Sequence, residues 1–246
     1  MRGHLETLRG GPYNSPVEVV AIIPAGGKGK RTGGKIPKQF RSLAGRPLIL
    51  HTLERIEVCP SVDGVILVVP KGMRARVQKL LRRSSVKKII AVCEGGQERQ
   101  DSVSAGLAAL PPGIRWVVIH DAVRPFVSPI LIEKVISAAK KAGAAVAAIP
   151  VRDTVKKVTE KGYAETIDRR GMWLAQTPQA FRTSIIMRAF ERASGDRFYG
   201  TDDAALVERL GVKVKVVEGE PENMKITEPG DFTLGEAILR KNRRCR

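Results

Sequence analysis

Six short apolar, β-branched runs recur along the chain, at residues 17–23, 65–69, 88–92, 116–120, 144–149 and 212–217. Most are unbroken rather than alternating, which is the pattern of strands covered on both faces in a parallel sheet. Between them lie stretches with helical spacing of apolar residues, at 47–58, 72–83, 102–110, 128–142, 182–193, 202–210 and 229–241. Ser128-Pro129 reads as an N-cap followed by proline in the first turn, and Thr227 with Pro229 repeats the signal. Alternating strands and helices predict an α/β fold with a three-layer α/β/α, mostly parallel sheet. Residues 152–175 break the rhythm. Their short alternating runs (154–158, 163–167, 172–176), separated by Lys161-Gly162 and Arg170-Gly171, predict a protruding antiparallel β-arm suited to reaching a partner subunit.

Length and composition narrow the picture. A chain of 246 residues, 43% apolar, can bury one sizeable core, so residues 17–246 are expected to form a single domain. Residues 1–16 carry charge but no apolar segment and are expected to form a flexible extension. No later run approaches the roughly 18 apolar residues of a membrane span. Cys59, Cys93 and Cys245 are scattered without metal-binding or disulfide spacing, which fits a reducing cytoplasm. The formal charge of +18 favours polyanionic partners: nucleotides, sugar phosphates or nucleic acid.

The first predicted strand runs into Pro24-Ala25-Gly26-Gly27-Lys28-Gly29-Lys30-Arg31, and Ile36-Pro37-Lys38-Gln39 follows. Glycines directly after a strand let backbone N–H groups approach phosphate oxygens. Two familiar motifs fail here. A G-x-G-x-x-G fingerprint begun at Gly27 meets Thr32 at its third glycine, and Val69-Pro70 ends the second strand without the ribose-binding acid. A P-loop read from Gly29 to Lys35 meets Ile36 where a magnesium-binding hydroxyl belongs. What remains is a glycine loop with five cations between Lys28 and Lys38, which a solvated basic loop also satisfies.

Further blocks follow in order: Gly95-Gly96-Gln97-Glu98-Arg99-Gln100-Asp101-Ser102-Val103, His120-Asp121-Ala122-Val123-Arg124-Pro125, Pro150-Val151-Arg152-Asp153-Thr154-Val155-Lys156, Thr177-Pro178-Gln179-Ala180-Phe181, Thr201-Asp202-Asp203, and Glu222-Asn223-Met224-Lys225-Ile226-Thr227. With the glycine loop, they make the chain resemble the sugar-phosphate nucleotidyltransferases, and among them the 2-C-methyl-D-erythritol 4-phosphate cytidylyltransferases, over about residues 18–240. Thr32 stands where that family commonly has Met, a departure that leaves the cationic positions intact.

The resemblance implies a Rossmann-like nucleotidyltransferase fold and transfer of CMP from CTP to a sugar-alcohol phosphate in isoprenoid-precursor synthesis. It implies Arg31 and Lys38 as stabilisers of the transition state. Ala25, Gly26, Gly27, Gly29, Gly96, Gln97, Arg99 and Ser102 would bind CTP, the second glycine turn reading cytosine. Arg99 could equally cap that turn. Asp121, Thr154, Arg169 and Lys225 would surround the acceptor phosphate, with Thr154 and Arg169 crossing to the other subunit of a homodimer. For Arg169 or Lys225 taken singly, a surface ion pair is the alternative. A divalent cation, Mg2+, held mainly by the CTP phosphates is also implied. His120 reads as a packed strand-end residue rather than a ligand or base.

Two rivals stand beside this reading. A ribitol-5-phosphate cytidylyltransferase shares the glycine loop, the Asp121–Pro125 block and the closing Asn-x-Lys-Ile-Thr, although Ser102-Val103 with Gly106-Leu107 and Val151–Thr154 lean toward the methylerythritol enzymes. A nucleic-acid-binding protein would explain +18 and the basic tail at 240–246. However, the two Trp, three Tyr and six Phe do not interleave with the basic runs as stacking platforms would. Neither nucleic acid nor a membrane is therefore an expected partner.

Overall fold

A computed structural model describes residues 17–27 and 36–244 of the chain. The expected extension at 1–16, together with Gly29 and Arg31, lies outside the described residues.

The unbroken apolar runs become the middle of a seven-stranded sheet. In chain order its strands are β1 (Val19–Pro24), β4 (Gly64–Val69), β5 (Ile89–Glu94), β6 (Trp116–Ile119), β7 (Ala144–Pro150), β10 (Trp173–Arg182) and β11 (Lys215–Glu218). A two-stranded ribbon, β2 (Ser42–Leu43) with β3 (Arg46–Pro47), follows β1, and the hairpin β8 (Val155–Val158) with β9 (Ala164–Ile167) follows β7. The spatial order is β11-β7-β10-β6-β1-β4-β5, and of these seven only β10 runs against the others. Every residue of β4 is buried, as are residues 19–23 of β1, so both faces of the sheet centre are covered.

The covering helices are α1 (Leu48–Glu57), α2 (Arg74–Arg82), α3 (Arg99–Ala108), α4 (Pro129–Ala142), α5 (Thr183–Gly195), α6 (Asp203–Glu208) and α7 (Pro229–Arg244). Apolar residues of α1, α2 and α4 pack one face, and those of α3, α5 and α6 pack the other. Helix α7 closes a third, smaller cluster through Ile238 against Leu43, Leu48, Phe126 and Ile226. The Ser128 hydroxyl accepts the Leu131 N–H at 3.0 Å with Pro129 opening α4, the N-cap its sequence predicts. At α7 the reciprocal contact carries the cap: the Asp231 carboxylate accepts the N–H groups of Thr227 and Glu228 and the Thr227 hydroxyl.

One part of the sequence reading needs correction. Residues 172–176 were expected in the arm and 182–193 as the next helix, with nothing assigned between. Instead, residues 173–182 form one strand whose outer end pairs with Ala148–Pro150 of β7 and whose inner end, Gln179–Arg182, fills the sheet between β6 and β7. Pro178 cannot donate to a ladder and hides this strand from a pattern search. The register shift between Ala175 and Gln179 accommodates it, and the Thr177-Pro178 peptide is cis. The arm is then the β8–β9 hairpin together with the outer part of β10, where Trp173 and Leu174 are exposed. Three boundaries move by three residues: α3 begins at Arg99, β11 begins at Lys215 and α7 runs on to Arg244. Cys59 and Cys93 are free, and no helix among the described residues is long and apolar enough to cross a membrane.

Candidate active site

Strands β6, β1, β4 and β5 are parallel neighbours, so their carboxyl ends place the segments that follow them along one edge. Chain order reverses around β1, the position where open α/β sheets bind ligands. Ala25–Gly27 follow β1, Gly95-Gly96 follow β5, and Asp121 lies two residues past β6.

The two glycine turns touch. A Cβ added to Gly26 or to Gly95 would lie 2.5 Å from the Ser102 hydroxyl in either case, so only glycine lets both backbones close on that side chain. Ser102 sits in the first turn of α3, and Gly106 lets this helix press onto the sheet: a Cβ there would come 2.5 Å from Ile22 Cγ2. Gln39, 2% exposed, ties the far end of the glycine loop back to its start: its Nε2 donates to the carbonyls of Ala25 and Gly27. That brings the short turn Lys38–Phe40 to the sheet edge. Lys38 also faces the start of α7. Burial opposes ionisation of Asp231, but hydrogen bonds from Thr227 and Glu228 and the Lys38 charge hold its carboxyl below the usual range.

Asp121 is the charge centre. Its Oδ1 accepts from Arg99 Nε at 2.9 Å, and its Oδ2 lies 3.0 Å from Lys225 Nζ and 3.5 Å from Arg124 Nε. Burial alone would raise its pKa, but the Arg99, Lys225 and Arg124 charges outweigh that and hold the carboxyl well below the usual range. Arg99 also donates from Nη2 to Asp203 Oδ2 at 2.7 Å, so in the structure it joins two carboxylates. Burial opposes the charge on Arg99, and Asp203 and Asp121 more than restore it. Asp203 itself, 1% exposed, is raised by burial, with Arg99 offsetting only part of that cost.

His120 is a packed residue. Its Nε2 lies 3.1 Å from the Arg124 carbonyl, which can only accept, so Nε2 carries the proton and Nδ1 accepts from the Thr177 hydroxyl at 3.1 Å. Thr177 Oγ1 in turn accepts the Asp121 N–H at 3.0 Å, fixing the backbone that presents the carboxylate. Burial lowers the His120 pKa to about 4, so the ring is neutral at pH 7. Because the folded value lies below the unfolded 6.5, the stabilisation is complete above pH 6.5 and is lost as pH falls toward about 4, a change on the order of 3 kcal/mol. Thermal melts should show the parent losing more Tm than His120→Gln between pH 7 and pH 5; equal slopes would exclude a neutral buried ring.

The loop carrying Lys225 is pinned from below. Asn223, fully buried, donates from Nδ2 to Gln176 Oε1 at 3.2 Å and to the Thr177 carbonyl at 2.8 Å, and its own carbonyl accepts from Arg124 Nη1 at 2.8 Å. Gln176 Nε2 donates to the Glu220 carbonyl at 3.0 Å, and the Glu220 carboxylate accepts the Ser128 hydroxyl.

Of the residues singled out in the sequence, the structure thus brings together Ala25, Gly26, Gly27, Ser102, Arg99, Asp121 and Lys225. Gly96 packs on Asp101, and Gln97 is exposed at the turn. Thr154 and Arg169 are exposed on the arm, and Arg169 donates to the Arg152 carbonyl rather than touching Asp121 or Lys225. The sequence reading assigned no role to Gln39, Arg124, Gln176, Thr177, Asp203 or Asn223. Each lies in or beside a quoted block, but no local spacing shows what it meets.

A glycine loop facing a second glycine turn, beside a carboxylate ringed by cations, suits a polyphosphate and a second anion. A family model described as 2-C-methyl-D-erythritol 4-phosphate cytidylyltransferase matches residues 19–241, nearly the whole described chain. The chain belongs to that family. Among its relatives, the 2-C-methyl-D-erythritol 4-phosphate cytidylyltransferase of Syntrophus aciditrophicus is 48% identical over 229 residues, covering 91% of this chain and 97% of the relative. That of Geobacillus thermodenitrificans is 46% identical over 219 residues, covering 89% and 96%. The crystal structure of the Thermus thermophilus cytidylyltransferase superposes with a TM-score of 0.74 at 37% identity, covering 91% of this chain and 99% of that one. The 4-diphosphocytidyl-2C-methyl-D-erythritol synthase of Anaerococcus prevotii gives a TM-score of 0.79 at 32% identity, covering 91% and 96%. The cytidylyltransferase fold therefore extends through the arm and the closing helix.

Proposed function

We propose that this cytidylyltransferase joins CMP from CTP to 2-C-methyl-D-erythritol 4-phosphate, releasing pyrophosphate, in the non-mevalonate route to isoprenoid precursors. The observation that carries the reading is the Asp121–Arg99–Lys225 cluster beside the paired glycine turns: one edge offers backbone N–H groups for a nucleotide and cations for a second phosphate. An acceptor phosphate oxygen attacks the α-phosphorus of CTP, the bond to the bridging oxygen of the β-phosphate breaks, and pyrophosphate leaves. That oxygen is already anionic at neutral pH, so no base is needed, and Asp121, held strongly ionised, would be a poor one. Catalysis is positioning and charge stabilisation. Lys38 and Arg31 serve the transition state, Ser102 and the Gly95-Gly96 backbone the cytosine, and Lys225 the acceptor phosphate.

Magnesium fits this donor set as an ion held chiefly by the triphosphate. Among the described residues no group of three or more His, Cys, Asp or Glu is placed to hold a metal. When bound, the ion would offset the negative charge of the triphosphate. Thr154 and Arg169, exposed on the arm, complete the acceptor site of the other protomer in a homodimer. The enzyme works in the cytoplasm.

Arg169→Ala tests the acceptor side. A charge-assisted contact to a phosphate predicts an acceptor KM roughly ten- to a hundredfold higher with the CTP KM unchanged. An unchanged acceptor KM removes Arg169 from the site.

A further inference from the structure

The segment from Phe198 to Asp203 crosses the first turn of α3 and is attached to three successive residues there. Gln100 holds its backbone from both sides: Nε2 donates to the Phe198 carbonyl at 2.9 Å, and Oε1 accepts the Gly200 N–H at 3.0 Å. Tyr199 donates its hydroxyl to Asp101 Oδ1 at 3.1 Å, while Asp101 Oδ2 accepts the Glu98 N–H at 3.0 Å. Arg99 reaches Asp203 at 2.7 Å. The same Asp101 underlies the second glycine turn, since a Cβ on Gly96 would lie 2.2 Å from Asp101 Cβ. The segment is itself anchored at both ends. The Phe198 N–H bonds to the Ala193 carbonyl at 2.8 Å, the Arg209 guanidinium stacks 4.0 Å from the Phe198 ring centre, and Asp202 caps α6 and accepts from Gln179 Nε2 at 2.8 Å.

We propose that residues 198–203 form a strap that fixes the Gly95–Ser102 turn against the sheet, and that Gln100 is a positioning residue for nucleotide selection acting through it. The inference rests on the reading that this turn faces the cytosine of CTP. Gln100 acts through the strap: it holds the strap, and the strap holds Asp101, on which Gly96 rests. Base choice through fixed hydrogen bonds needs that rigidity, because a turn that can shift will accommodate a mismatched edge. Tyr199, 59% exposed, adds a second tether that can be removed without opening the core.

The test is steady-state kinetics with CTP and with UTP at saturating acceptor, for the parent, Gln100→Ala, Gln100→Glu and Tyr199→Phe, with acceptor KM measured alongside. Loss of two hydrogen bonds in Gln100→Ala is expected to raise the CTP KM about tenfold, keep kcat within about twofold and lower the CTP-over-UTP ratio of kcat/KM. Gln100→Glu retains the Gly200 contact and should lie between parent and alanine variant. Tyr199→Phe should move the ratio the same way by about threefold. Acceptor KM should not move. If Gln100→Ala folds with an unchanged CTP KM and an unchanged ratio, the strap has no positioning role. If Gln100→Ala melts early, an unchanged ratio in Tyr199→Phe overturns the proposal. Failure of the parent to prefer CTP would instead contradict the reading of the turn, and the same variants would then judge the strap on whichever nucleotide the parent accepts.

Discussion

Lys38→Ala should lower kcat by about 10²–10³-fold while the CTP KM changes little, the loss expected when one preorganised charge is removed from a transition state that gains negative charge. The buried Gln39 amide holds the Ala25 and Gly27 carbonyls and so brings the preceding lysine to the sheet edge. The Lys38 charge is felt at Asp231, which is bonded to Thr227, two residues beyond Lys225. In the proposed function Lys38 serves the transition state from this position, beside Ala25 and Gly27 and facing the start of α7. Lys38→Arg, which keeps the charge with a different shape, should recover part of the rate. A variant with near-normal kcat and a raised CTP KM would make Lys38 a ground-state binder only.

Asp121→Ala should be the most destabilising substitution in the site. It removes the carboxylate from the midst of Arg99, Arg124 and Lys225, and Arg124 has a side chain only 12% exposed. Breaking a buried charge cluster by deleting one partner costs about 3–5 kcal/mol, and here the cost falls on Arg124 and Lys225, since Arg99 keeps its bond to Asp203. For a domain of this size that is a Tm drop on the order of 10 °C. Asp121→Asn keeps the volume and should fall between parent and alanine. A shift below about 2 °C would show that Arg99 and Lys225 are not held by this carboxylate.

The sheet was legible because β1, β4, β6 and β7 are continuous apolar runs too short for anything but buried strands between helices, and α4 because Ser128-Pro129 marks its start. Strand β10 was not, since Thr177-Pro178 interrupts the pattern and only pairing on both sides by β6 and β7 makes residues 179–182 a sheet strand. The site divides in the same way. Gly26, Ser102, Asp121 and Lys225 were singled out because they lie in the blocks that carry the family resemblance. Arg99's two partners lie 22 and 104 residues away, and the Asn223–Gln176 bond spans 47. Contacts of that range are set by the sheet order, so the sequence displays the residues without the pairing that gives them a role. Gln39 is the instructive case: it reads as the end of a Pro-Lys-Gln turn, and its function appears only when the turn folds back onto Ala25.

Pyrophosphate release from CTP, measured with 2-C-methyl-D-erythritol 4-phosphate, ribitol 5-phosphate and glycerol 3-phosphate as acceptors, decides which acceptor this enzyme uses. Release should be fast with the methylerythritol phosphate, far slower with the other two, and slight when UTP or ATP replaces CTP. Faster turnover with ribitol 5-phosphate, or tight salt-sensitive binding to random duplex with no CTP turnover, would contradict the proposed function.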